Sequence, residues 1–78
     1  MDNLKGELRE IWVEMLKRED FSDEDDFYAL GGTSFQAFTL LVKIKERFNV
    51  ELKLIHLLQN VTVKYLVNLI NTYRRDNE

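Results

Sequence analysis

Apolar residues return at helical spacing in three separate stretches of a 78-residue chain that contains no proline. Leu4, Leu8, Ile11, Trp12 and Met15 fall at i, i+4, i+7, i+8 and i+11, one face of an amphipathic helix. Ala37, Leu40, Leu41, Ile44 and Phe48 share a face of a second helix over about 34–48, and Val63, Leu66, Val67, Ile70 and Tyr73 line a third. Tyr65 and Leu69 extend that last stripe to one side. A short apolar run, Leu54-Ile55-His56-Leu57-Leu58-Gln59, reads as one to two helical turns. Nothing alternates over a strand's length, and the chain has no repeats or low-complexity tracts. The pattern predicts an all-α fold: a small antiparallel four-helix bundle of three long helices and one short one, with a long first connection.

Asp2 or Asn3 can cap the first helix, which Gly6 weakens slightly in its first turn. Thr62 can cap the last helix, and Arg74 and Arg75 suit the negative end of its dipole. The residues that follow, Asp76-Asn77-Glu78, are expected to fray. Asn49 to Lys53 breaks the periodicity and reads as a loop.

From Glu19 to Thr33 helical spacing stops and acids dominate. A connection of that length in so small a domain is either functional or pinned by its own apolar residues, here Phe21, Phe27, Tyr28 and Leu30. The cluster Ser22-Asp23-Glu24-Asp25-Asp26 does not fit a calcium loop. An EF-hand register from Asp23 puts Tyr28 where glycine is required and Ser34 where the bidentate glutamate belongs. The cluster reads as a solvated turn.

The loop ends at Leu30-Gly31-Gly32-Thr33-Ser34-Phe35. Two glycines let the backbone turn where a side chain would clash. Thr33 followed by Gln36 fits a capping box that starts the second helix at Ser34. The serine hydroxyl then stands in a first turn whose unpaired N–H groups and dipole favour a negative group, so it suits a phosphate ester. Phe35, Phe38 and Val42 form a second apolar stripe roughly 130° from the core stripe at ~100° per residue, with Ser34 between the two. Either the long loop or a later helix covers it, or it is left open for partners.

Several function classes drop out. A net charge of -3 argues against nucleic acid, which calls for a basic face. No apolar stretch approaches the ~20 residues of a membrane span, and the N-terminus lacks a signal-peptide pattern, so Asn60-Val61-Thr62 is not read as a glycosylation site. The absence of cysteine fits the cytoplasm. Serine catalysis needs a positioned base and a third group. His56, the only histidine, has no companion at a suggestive spacing, and neither a G-x-S-x-G elbow nor a P-loop is present. No metal site is expected. What remains is a helical domain modified at this serine or an unmodified helical scaffold.

The segment Asp25-Asp26-Phe27-Tyr28-Ala29-Leu30-Gly31-Gly32-Thr33-Ser34-Phe35 resembles the attachment segment of the peptidyl carrier (thiolation) domains of nonribosomal peptide synthetases, within the acyl carrier protein-like family. Leu41 to Leu52 resembles the rest of that family's second helix and following loop, and the likeness runs from Ile11 to Ile70. Thr33 stands where the family usually has Asp or His, and Val61 where proline is common. The resemblance implies a single carrier domain over 1–78 that performs no chemistry of its own. A 4′-phosphopantetheine arm from coenzyme A would be attached to Ser34, with Gly31, Gly32 and Thr33 as the attachment motif and Asp26 near the approach to the serine. It implies partner contacts at Phe35, Phe38 and Val42, and at Ile55 and His56 of a partner-facing short helix. The partners would be a phosphopantetheinyl transferase, an adenylation enzyme or ligase that loads the arm, and condensation, tailoring or thioesterase enzymes. A cytoplasmic monomer is expected. Leu30-Gly31-Gly32 points to the peptidyl type over the acyl carriers of fatty acid or polyketide pathways, whose fatty acid members show an Asp-Ser-Leu core. The chain's ends fit a free-standing carrier and a domain of a larger synthetase alike.

Overall fold

Three α-helices and one short 3-10 turn form where the apolar periodicity places them. The computed structural model describes residues 3–76, the side chain of Asp76 excepted. Helix α1 spans Leu4–Leu16, α2 Ser34–Phe48 and α3 Val63–Asp76, with a 3-10 turn over Leu54–Leu57 between the last two. Helix α1 packs against both α2 and α3, and the 3-10 turn packs against α2.

The ends of these elements follow local chemistry. Lys17 and Asn49 close α1 and α2 in left-handed conformation, with φ of 59° and 56°, and their N–H groups donate to Val13 O and Lys45 O. That geometry satisfies carbonyls a helix end would otherwise leave open. Thr62 Oγ1 accepts the Tyr65 N–H at 3.0 Å, which caps α3 as expected. The start of α1 differs from expectation. Asn3 holds the N-cap position, but its side chain makes no capping hydrogen bond. It lies instead against Gly6, where a Cβ would come within 2.6 Å of it. The capping role offered to Asp2 and the fraying expected of Asn77 and Glu78 fall outside the described residues, whereas Asp76, expected to fray with them, still belongs to α3.

Leu4, Leu8, Ile11, Trp12, Ala37, Leu40, Ile44, Phe48, Val63, Leu66 and Ile70 are buried, so one face of each helix forms the core. Met15, Leu41, Val67 and Tyr73, expected in the same stripes, are partly buried at its margin. Val50 and Leu52 join the core from a segment read as a plain loop. They alternate there with exposed Asn49, Glu51 and Lys53, so every second side chain of the segment turns inward.

The long connection is pinned by its aromatics. The Trp12 indole meets Phe27 edge-on at 5.1 Å and Phe21 at 5.8 Å between centroids. Tyr28 and Leu30 pack against this cluster. The acid cluster is no simple solvated turn. Asp23 pairs with Lys5 at 3.0 Å and Arg9 at 2.8 Å, while Arg9 also lies 4.4 Å over the Phe21 ring. Asp25 accepts the Ser22 N–H. The loop is tied to the other end of the bundle as well, because Phe27 N–H donates to Val61 O at 2.7 Å and Lys64 N–H to Asp23 O at 3.0 Å.

Two consequences can be measured. Trp12→Ala removes the centre of the aromatic cluster and should cost about 3–5 kcal/mol in denaturant unfolding; a near-neutral value would refute the packing. Asp23 is held below its ordinary pKa of 3.8 by Lys5 first and then Arg9. Its contribution is therefore complete above the unfolded value and is lost as pH falls through the lower folded one. Asp23→Asn should be less stable at neutral pH and lose less on acidification, read from urea midpoints across that window. Parallel acid limbs for the two proteins would place the sensitivity in other carboxylates.

Candidate functional site

The loop enters α2 through a turn that only glycine can make. Gly31 sits at φ 104°, a region L side chains rarely adopt. Gly32 is constrained by space, since a Cβ there would lie 2.3 Å from the Phe27 ring and 2.8 Å from the Phe27 carbonyl oxygen. The Gly32 N–H donates to that same carbonyl at 2.9 Å, and Gly31 N–H donates to Tyr28 O at 3.1 Å. The two glycines thus fold back on the residues that anchor the loop.

Asp26 organises the turn. Its Oδ2 accepts N–H groups from Tyr28 and Ala29, both at 3.0 Å, and its Oδ1 accepts the Val61 N–H at 2.8 Å. Its main-chain carbonyl accepts the Leu30 N–H at 3.0 Å. A proline at position 61, the residue the family resemblance leads one to expect, has no N–H for that contact. Thr33 and Gln36 form the expected capping box. Thr33 Oγ1 accepts the Gln36 N–H at 3.1 Å, and Gln36 Oε1 accepts the Thr33 N–H at 3.0 Å. Gln36 Nε2 also donates to Met15 O at 3.2 Å, which docks the start of α2 on the end of α1.

Ser34 is the first residue of α2 and is exposed. Beyond the capping box, the N–H groups of Ser34 and Phe35 have no acceptor among the described residues. No acidic residue stands in the first turn of α2. A phosphate ester on the hydroxyl would meet open donors and the positive end of the helix, so these residues fit a phosphopantetheine group.

Exposed apolar side chains follow the serine along α2. Phe35 is 79%, Phe38 56% and Val42 45% exposed, so neither the loop nor a later helix covers the second stripe. Across from it on the 3-10 turn, Ile55 is 70% exposed, and Leu54 and Leu58 are exposed beside it. Leu54 and Leu58 escaped the sequence reading. Their signal is the density of the apolar run itself, because a single turn can bury few of its side chains and here buries only Leu57. His56 is half-buried, and its Nδ1 accepts the Lys53 N–H at 3.1 Å while its ring stands edge-on to Tyr73 at 5.8 Å. Tyr28 donates its hydroxyl to Leu57 O. Burial first, and the Asp26 carboxylate second, push that phenol above its ordinary pKa. Among the described residues, no cluster of His, Asp and Glu is arranged to hold a metal ion, and no helix is long and apolar enough to cross a membrane.

Gly32→Ala should cost about 1–3 kcal/mol by overpacking, because the fully buried Phe27 ring has nowhere to retreat. An unchanged urea midpoint would show that the loop can open at no cost.

Comparison with known proteins agrees with this geometry. A family described as a phosphopantetheine attachment site matches residues 6–70. The nonribosomal peptide synthetase hkm10 of Aspergillus hancockii is 36% identical over 69 residues, 86% of this chain and 7% of that protein. Gramicidin S synthase 2 of Brevibacillus brevis is 30% identical over 76 residues, 97% of this chain and 2% of that protein. This chain thus spans only a small fraction of the curated relatives it matches. Among solved structures, a chain from the phosphopantetheine transferase Sfp in complex with coenzyme A and a peptidyl carrier protein superposes with a TM-score of 0.84 at 26% identity, covering 92% of this chain and 94% of that one. With residues 6–70 matched, this chain belongs to the phosphopantetheine attachment-site family, as a carrier domain like those of nonribosomal peptide synthetases.

Proposed function

We propose that residues 1–78 form a single carrier domain that holds an aminoacyl or acyl group as a thioester on a 4′-phosphopantetheine arm attached to Ser34. The observation that carries the reading is the exposed hydroxyl at the first position of α2, beside the N–H groups of Ser34 and Phe35, which find no acceptor among the described residues. In the attachment step the Ser34 hydroxyl gives up its proton and its oxygen forms a bond to a phosphorus of coenzyme A. The phosphorus–oxygen bond to adenosine 3′,5′-bisphosphate breaks. A transferase supplies the base, since His56 is the only histidine and its Nδ1 is already engaged. The domain itself is non-catalytic, and its chemistry resides in the thiol the arm brings to a chain without cysteine.

Gly31, Gly32, Thr33 and Asp26 serve the attachment by fixing the backbone that presents Ser34. Phe35, Phe38, Val42 and Ile55, with Leu54 and Leu58, form the docking face for a phosphopantetheinyl transferase, a loading adenylation enzyme, and condensation or releasing enzymes; His56 shapes the turn that carries part of it. A small apolar face suits encounters that must be brief. The similarity to a peptidyl carrier solved with a transferase and coenzyme A supports the first of these partners, and the synthetase relatives support the others.

Intact-mass measurement before and after incubation with coenzyme A and a promiscuous phosphopantetheinyl transferase tests the reading. One phosphopantetheine increment should appear and map to the peptide containing Ser34. Ser34→Ala should abolish the increment and keep the helical circular dichroism spectrum. Labelling that persists in the variant would move the site, and an unlabelled parent beside a working control would return the chain to a scaffold role.

A further inference from the structure

The 3-10 turn has little to hold it by itself. It has four residues, and only Leu57 is buried in the core. The carbonyls at the end of so short an element lack partners within it. Two tyrosines supply donors to two consecutive ones: Tyr65 of α3 donates its hydroxyl to His56 O at 3.1 Å, and Tyr28 of the long loop donates to Leu57 O. Tyr28 is the more consequential of the pair. Its main-chain carbonyl accepts the Gly31 N–H, so the same residue holds the glycine turn before Ser34 and the turn that carries Leu54, Ile55 and Leu58.

We infer that Tyr28 is a positioning residue, whose hydroxyl keeps the apolar side chains of the 3-10 turn in fixed register with Ser34 so that a phosphopantetheinyl transferase meets both at once. The inference rests on Ser34 being the attachment point. Tyr28 touches no reacting atom in this scheme. It acts through the placement of Leu57 and its neighbours, and the effect belongs to carrier recognition rather than to the chemical step. A phenylalanine at the position keeps the ring, which packs edge-on against Phe27 at 5.6 Å, and removes only the donor.

The test is steady-state transfer from coenzyme A to the full chain by a promiscuous transferase, with Tyr28→Phe and Tyr65→Phe beside the parent. Loss of one hydrogen bond should raise KM for the carrier about threefold to tenfold in Tyr28→Phe and leave kcat unchanged. Amide exchange of His56, whose N–H donates to Lys53 O within the turn, should quicken in the same variant. Tyr65→Phe, which leaves the link between loop and turn intact, should stay closer to the parent in KM. An unchanged KM in Tyr28→Phe, a fall in kcat alone, or equal effects of the two variants would overturn the assignment. A parent chain that gains no mass would instead condemn the Ser34 reading, and the two failures are thereby told apart.

Discussion

The contact on which this small bundle depends is the Phe27 ring, buried between the Trp12 indole and the backbone of Gly32. A connection of this length would ordinarily cost too much conformational entropy to hold in one shape. Phe27 anchors it in the middle, and the hydrogen bonds on either side follow from that anchor. Its N–H reaches Val61 O and its carbonyl receives the Gly32 N–H. Phe21 anchors the earlier half, under the Arg9 guanidinium. The Trp12 N–H finds no hydrogen-bond partner among the described residues, so packing alone places the indole.

Function follows from the same anchor. Because Gly32 lies against Phe27, the chain can start α2 only in one direction, and the Thr33–Gln36 capping box sets its first residue as Ser34. Asp26 makes the geometry cooperative by joining the turn to the approach to α3 through the Val61 N–H. The site is thus held from both of its flanking connections, while the serine side chain itself stays in solvent. A hydrogen-bonded backbone under an exposed hydroxyl fits the proposed attachment, in which the arm swings and its anchor stays in place.

Much of this was legible beforehand. The three helices, their inward faces, the capping box and the role of Phe21 and Phe27 as pins follow from spacing and residue type, which act over a few residues. The acid cluster was less legible, because whether Asp23 is solvated or paired depends on Lys5 and Arg9, more than a dozen residues away. The same holds for Val50 and Leu52, which entered the core from two alternating positions too few to read as a pattern. On the exposed apolar face, Leu54 and Leu58 could be told from Leu57 only once the turn was set against α2.

By itself, then, the sequence determined the all-helical class, the three inward stripes and the position of the serine after the glycine turn, because periodicity, capping and φ preferences are local properties of neighbouring residues. Only the tertiary structure decided that the stripe of Phe35, Phe38 and Val42 stays open, that Asp26 reaches Val61, and that Tyr28 reaches Leu57. Those outcomes depend on which distant segment arrives beside a side chain, and no short window of sequence contains that information.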